Sequence, residues 1–166
     1  MILKRIFAYC IDYFVIIIYA ALLFLLTYTI HKILDQPLTQ LDPITGNVIS
    51  FFTLTLPVFL YFFFYESSSK KGTIGKQWVK IKVENNSKRN IFIRVFFKIF
   101  PWEMAHFGIH WALFYSNQGV EIPLWNWIVN IVPQIIVIIY FITIVLSKGK
   151  SSIYDRIANT RIESFQ

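Results

Sequence analysis

A lone carboxylate inside an apolar run is the feature that most limits what this chain can become. Residues 6–30 read as a helix of 25 residues in which Asp12 is the one charged side chain. At about 1.5 Å per residue that helix is roughly 37 Å long, enough to cross a bilayer core of about 30 Å with some tilt. An uncompensated carboxylate at mid-bilayer costs about 2.5–3.5 kcal/mol on insertion scales. Asp12 is therefore expected to face protein or trapped water. Arg5, seven positions earlier, shares nearly the same helix face, but two turns, roughly 10 Å, separate the two. Arg5 is expected to snorkel to the surface, and Arg156 or Lys76 is the better partner for Asp12.

Three further stretches have membrane character: residues 48–65 with Pro57 inside, 102–118, and 122–146 with Pro133 inside. Only 15% of the 166 residues are charged, against about 25% in soluble domains. The pattern predicts one all-α, polytopic membrane domain of four segments. Residues 31–47 form the first loop, 66–90 a polar central loop and 147–166 a basic tail. Within the central loop Val79, Ile81 and Val83 alternate with Lys80 and Lys82, a period-2 pattern that suggests a short strand. Asn85-Asn86-Ser87 reads as a turn. Asn90, Arg94 and Lys98 recur every fourth residue, so residues 91–100 are expected to form a basic helix lying in the membrane interface. Pro101 should break it before the third segment.

Charge sets the orientation. With four crossings, 15 of the 16 Lys and Arg fall on one side and Lys32 alone on the other, which places both termini in the cytoplasm. The net charge of +7 follows from that bias, and nucleic acid is not an expected partner. Trp111, Trp125 and Trp127 would gather at the far interface, where indole rings prefer to sit. A single cysteine, Cys10, excludes an internal disulfide and reads as a small packing residue.

Arg5 and Asp12 at the first helix, Gly72-Thr73-Ile74-Gly75-Lys76 after the second, and Asp155-Arg156-Ile157-Ala158-Asn159-Thr160 after the last occur in one order along the chain. Together they resemble the RDD family, whose arginine and two aspartates map onto Arg5, Asp12 and Asp155. The resemblance implies a small multi-pass bacterial membrane domain with a transport role; some members are described as sodium–proton antiporters. Its loop motif corresponds to Gly72, Thr73, Gly75 and Lys76. Residues 102–111 lie outside the motifs that carry the likeness.

Glu103, His106 and His110 make a polar stripe on the third segment, within about 60° of one another on a helix. Three readings stay open: a proton relay, a metal site with Glu103, His106 and His110 as ligands, and a hydrogen-bonded seam between helices. For Asp12, an ion or proton site and a structural anchor are equally open. For Asp155 a structural role is favoured, capping a tail helix or pairing with a base such as Lys76.

The leading expectation is a bacterial inner-membrane protein that transports a small ion or solute, coupled to protons. The alternative is a non-transporting subunit that docks a partner protein or anionic lipid through its basic face. A metal-dependent membrane enzyme using Glu103, His106 and His110 comes third. No catalytic residue and no cofactor beyond that metal ion is expected. Its partners would be the lipid bilayer and, because so small a bundle encloses little space, further copies of itself.

Overall fold

The computed structural model describes residues 1–35 and 41–165. Its elements in chain order begin with α1 (Ile2–Ile33) and α2 (Pro43–Ser50), then a π-helical turn (Phe51–Thr55) that runs into α3 (Leu56–Ser67). Next come the short α4 (Ile74–Trp78), β1 (Ile81–Glu84) and the long α5 (Lys88–Asn117). The chain ends with α6 (Leu124–Leu146), α7 (Ile153–Ile157) and β2 (Arg161–Ser164). Three stretches are long and apolar enough to cross a membrane: Ile2–Ile33, Pro43–Ser67 and Leu124–Leu146. The protein is thus a mostly helical membrane protein. Large apolar side chains such as Phe14, Leu22, Phe24, Ile131 and Ile138 stand exposed along α1 and α6, as lipid-facing positions should. Cys10 is exposed on α1 as well, so it does not pack in the interior.

The loop expected over residues 31–47 falls partly at 36–40, outside the described residues. Residues 31–33 instead close α1 and 43–47 open α2. Asp42 starts α2: its carboxylate accepts from the Ile44 and Thr45 amides at 3.1 and 3.0 Å, and Pro43 occupies the first turn, where no amide proton is needed.

Two prolines are absorbed by the same device. Pro57 donates no hydrogen bond and crowds the carbonyl four residues earlier. That carbonyl, on Thr53, accepts from the Tyr19 hydroxyl of α1 at 2.6 Å, and the wide π-helical turn lies just before the ring. Pro101 was expected to break the chain between an interfacial helix and a third segment. Instead α5 runs unbroken through it for 30 residues, roughly 45 Å. The carbonyl Pro101 leaves free, on Phe97, accepts from the Tyr140 hydroxyl of α6 at 2.9 Å.

The separate interfacial helix is a second correction. The Asn90–Arg94–Lys98 stripe turns inward: Arg94 is fully buried, while Phe92, Phe96 and Phe100 are exposed. The amphipathic pattern was real, but its polar face meets protein and its apolar face looks out.

The short strand expected near residues 79–83 forms as β1, and pairs antiparallel with β2 in the register Ile81↔Ser164, Lys82↔Glu163, Val83↔Ile162 and Glu84↔Arg161. The fold is therefore not purely α. Ile81, Val83 and Ile162 are sealed into a core with Ala8, Ile16, Val58, Phe62, Ile91, Val95 and Ile99. Ser87 caps α5 through the Asn90 amide, which makes the Asn85–Ser87 turn the start of that helix. At the other end of α5, Gly108 lets α6 approach: a Cβ there would lie 2.6 Å from the Asn130 amide nitrogen, and Asn126 donates to the Gly108 carbonyl at 2.9 Å. Trp111 and Trp125 meet at the same end, ring centroids 5.7 Å apart.

Tyr140→Phe keeps the ring and removes the cover of the Phe97 carbonyl. It is expected to destabilise the protein by about 1–3 kcal/mol, the cost of an unsatisfied buried acceptor, read as a lower melting temperature in detergent. An unchanged melting temperature would show that the carbonyl finds another donor.

Candidate functional site

Five ionised side chains from five elements form one buried chain of alternating sign. Arg5 on α1 donates from Nη2 to Asp155 Oδ2 on α7 at 2.5 Å. Arg94 on α5 donates from Nε to the other oxygen, Oδ1, at 2.8 Å. Arg94 also reaches Glu66 on α3 through Nη1, and Lys76 on α4 closes the series on the second Glu66 oxygen. All five are at most 1% exposed.

Each end is held further. Arg5 Nη2 donates to the Tyr154 hydroxyl at 2.8 Å and Nε to the Tyr9 hydroxyl at 3.2 Å. Asp155 accepts from the Ser152 amide at 2.8 Å in a capping box that starts α7. The Tyr154 ring lies beneath both guanidiniums, 5.8 Å from Arg5 and 5.3 Å from Arg94.

Burying an ion costs several kcal/mol even after relaxation, and a partner offsets that only with good geometry and further hydrogen bonds. Here each carboxylate is shared between two cations, and Arg94 between two carboxylates; Arg5 and Lys76 end the series on one carboxylate each. Arg5 does not snorkel. Asp155 caps the tail helix as expected, but its bases are Arg5 and Arg94, because Lys76 is taken by Glu66. By sequence Glu66 is only the first residue of the central loop. Its signal was its place directly after an 18-residue apolar run, where a carboxylate must find a cation.

Asp12 has a cradle of neutral donors in place of an ion pair. Its Oδ1 accepts from the Tyr61 hydroxyl at 2.8 Å and the Gly75 amide at 2.9 Å, and its Oδ2 from the Thr73 hydroxyl at 2.6 Å. The Gly72–Lys76 loop motif is the piece that docks on α1. Thr73 caps α4 through the Lys76 amide, and Gly72 is buried behind it. Gly75 must be glycine because a Cβ would sit 2.2 Å from the Ala8 carbonyl oxygen. Neither expected partner serves Asp12: Lys76 binds Glu66, and Arg156 is exposed.

Beside this cradle, between α1, α3 and α5, lies a pocket of about 50 Å³ lined by Tyr9, Asp12, Tyr13, Ile16, Val58, Phe62, Lys98, Ile99 and Trp102. The Lys98 ammonium is buried with no hydrogen-bond partner among the described residues, and the Trp102 indole N–H shares that condition. Lys98 Nζ stands 3.2 Å from the centre of the Phe62 ring and 5.4 Å from that of Tyr9. Such ring contacts return about 2 kcal/mol when desolvated, less than the several kcal/mol that burying an ammonium costs. The rings alone leave Lys98 undersatisfied.

The stripe on the second half of α5 is divided among separate partners. Glu103 accepts from the Thr55 hydroxyl at 2.6 Å and from the Asn47 amide at 3.4 Å. His110 Nε2 lies 3.2 Å from the Ser50 hydroxyl, and Gly46 makes room for its ring. His106 packs edge-on against Trp102 at 4.8 Å, and its Nδ1 has no partner among the described residues. Among those residues no three His, Cys, Asp or Glu side chains gather where one metal ion could be held. Glu103, His106 and His110 thus share a face of α5 without converging on one point.

The electrostatics of the tail make a pH test. Burial pushes the Asp155 carboxyl up, but the Arg94 and Arg5 guanidiniums beside it pull harder and hold it below the usual aspartate range. Because the folded value is the lower one, the stabilisation is complete above the ordinary value near pH 3.9 and lost as pH falls through the folded value. Asp155→Asn should cost about 3–5 kcal/mol at neutral pH, leaving Arg5 and Arg94 undercompensated, and should flatten the acid limb of the melting profile. A variant as stable as the parent at pH 7 would contradict a shared buried ion chain.

Residues 1–159 match the family model described as the RDD family. No curated protein and no solved structure matches the chain.

Proposed function

Since the chain belongs to the RDD family, we propose that it is a bacterial inner-membrane protein that moves a small ion or small solute, with protons as the coupled species. The observation that carries this reading is the pocket between α1, α3 and α5, where the ionisable Asp12 and Lys98 line one space among apolar helices. An intramembrane ionisable group is a candidate for an ion or proton path by default. The ion chain next to the pocket is paired throughout and acts as the frame. Lys98 and Asp12 stand outside that frame and line the pocket.

In this reading α5 supplies the fourth crossing through residues 102–117, and both termini face the cytoplasm, as the one-sided Lys and Arg distribution favours. Reporter fusions after Ser69 and after Gln166 should both report the cytoplasm; an external Ser69 would overturn the four-crossing arrangement. A bundle this small would work as a homo-oligomer.

A second reading has its own support. Lys4, Lys70, Lys80, Lys88, Arg89, Lys148 and Lys150 are exposed, and such a set of charges suits docking to anionic lipid or an acidic partner. The metal-dependent enzyme is not carried forward, because its three candidate ligands do not converge.

Flux separates the two. Reconstituted protein should dissipate an imposed pH gradient when a monovalent salt is added, and Asp12→Asn, which keeps the shape and loses the proton site, should abolish that response while still accumulating in the membrane. A parent protein without flux under any salt leaves docking as the function. Loss of accumulation in Asp12→Asn makes Asp12 an anchor for the loop and nothing more.

A further inference from the structure

The buried ionisable groups around the pocket do not balance. Arg5, Lys76, Arg94 and Lys98 are four cations, and Asp12, Glu66 and Asp155 are three carboxylates. The ion chain consumes Arg5, Arg94 and Lys76 against Asp155 and Glu66, and Asp12 faces hydroxyls and an amide. Lys98 is the one cation of the four with no carboxylate bonded to it.

The pocket is also one-sided in its hydrogen bonding. Two of its lining residues, Lys98 and Trp102, bring buried donors that have no acceptor among the described residues. Its one carboxylate already accepts from Tyr61, Thr73 and Gly75. The Tyr9 hydroxyl is engaged by Arg5 and Tyr154. Donors in surplus, an ammonium bonded to no carboxylate, and apolar walls from Ile16, Val58, Phe62 and Ile99 describe a host for a small acceptor that carries one negative charge. Size narrows the class. A space of about 50 Å³ admits a few water-sized bodies at about 10–15 Å³ each, which suits a halide or formate.

We propose that this pocket binds one small monovalent anion, of halide or formate size, on the Lys98 ammonium with the Trp102 indole N–H as second donor. The site goes beyond the transport reading and does not require it, since a bound ion need not be a moved one. Phe62 and Tyr9 hold the ammonium in place through their ring faces. The anion supplies the partner that Lys98 otherwise lacks.

The test is the melting temperature of the purified full chain in detergent, titrated with sodium chloride, bromide or formate against sodium gluconate at constant sodium and ionic strength. A saturable stabilisation by the three small anions is expected, with none from gluconate. Lys98→Met should weaken the apparent affinity by about tenfold or more, the scale of one charge-assisted hydrogen bond, and Trp102→Phe by a smaller factor. Identical melting in all four salts overturns the proposal and leaves Lys98 neutral or hydrated. A stabilisation undiminished in Lys98→Met also overturns it, because the anion then binds elsewhere. If Lys98→Met does not accumulate, chlorine NMR line broadening on the parent decides: broadening displaced by bromide and reduced in Trp102→Phe supports the site, and broadening unchanged in that variant refutes it. Flux is not read in this experiment, so its failure leaves the transport proposal standing.

Discussion

The chain Arg5–Asp155–Arg94–Glu66–Lys76 is the interaction on which the rest of the structure depends. It ties α1, α7, α5, α3 and α4 at one point, and among the described residues no other ion pair joins any two of them. Its members are buried at a depth where single charges would be untenable, so the elements that carry them must all be in place together. That mutual requirement draws the short α7 and β2 back against the helices. The tail is thereby part of the core, with Ile162 in the apolar cluster and Asp155 at the centre of the charges.

Asp12 and Lys98 sit beside this frame and differ from it in kind. The frame is closed: each carboxylate is shared between two cations, and a change of protonation would break several bonds at once. Asp12 accepts from three neutral donors and Lys98 faces aromatic rings, so neither is held by an opposite charge. The Gly72–Lys76 loop joins them, because Thr73 and Gly75 hold Asp12 while Lys76 belongs to the ion chain.

The prolines show how local rules yield to neighbours. Pro57 and Pro101 each free a carbonyl, and in both places a tyrosine from an adjacent helix takes it, Tyr19 for Thr53 and Tyr140 for Phe97. A proline breaks a helix when the freed acceptor has no partner. With a partner supplied across a helix interface, the cost falls and α5 continues through Pro101 into the part that carries Glu103, His106 and His110.

Hydropathy was enough to place the three long apolar crossings, because lipid demands about 20 apolar residues and a helical backbone whatever the neighbours. Alternation of Ile81 and Val83 with lysines was enough for β1, and Arg5, Asp12 and Asp155 with the glycine-rich loop were enough for the family. Periodicity also found the Asn90–Arg94–Lys98 stripe, but periodicity reports that two faces differ and not which one meets protein. The same limit hid the pairings: Asp155 with Arg5 and Arg94, Glu66 with Arg94 and Lys76, and Asp12 with Tyr61, Thr73 and Gly75. These contacts join residues up to 150 positions apart, and opposite charges on a sequence are interchangeable until a fold brings particular ones within reach. β2 went unseen for a related reason, since Ile162 is its one buried residue and a strand so short exists only because β1 is there to pair with it.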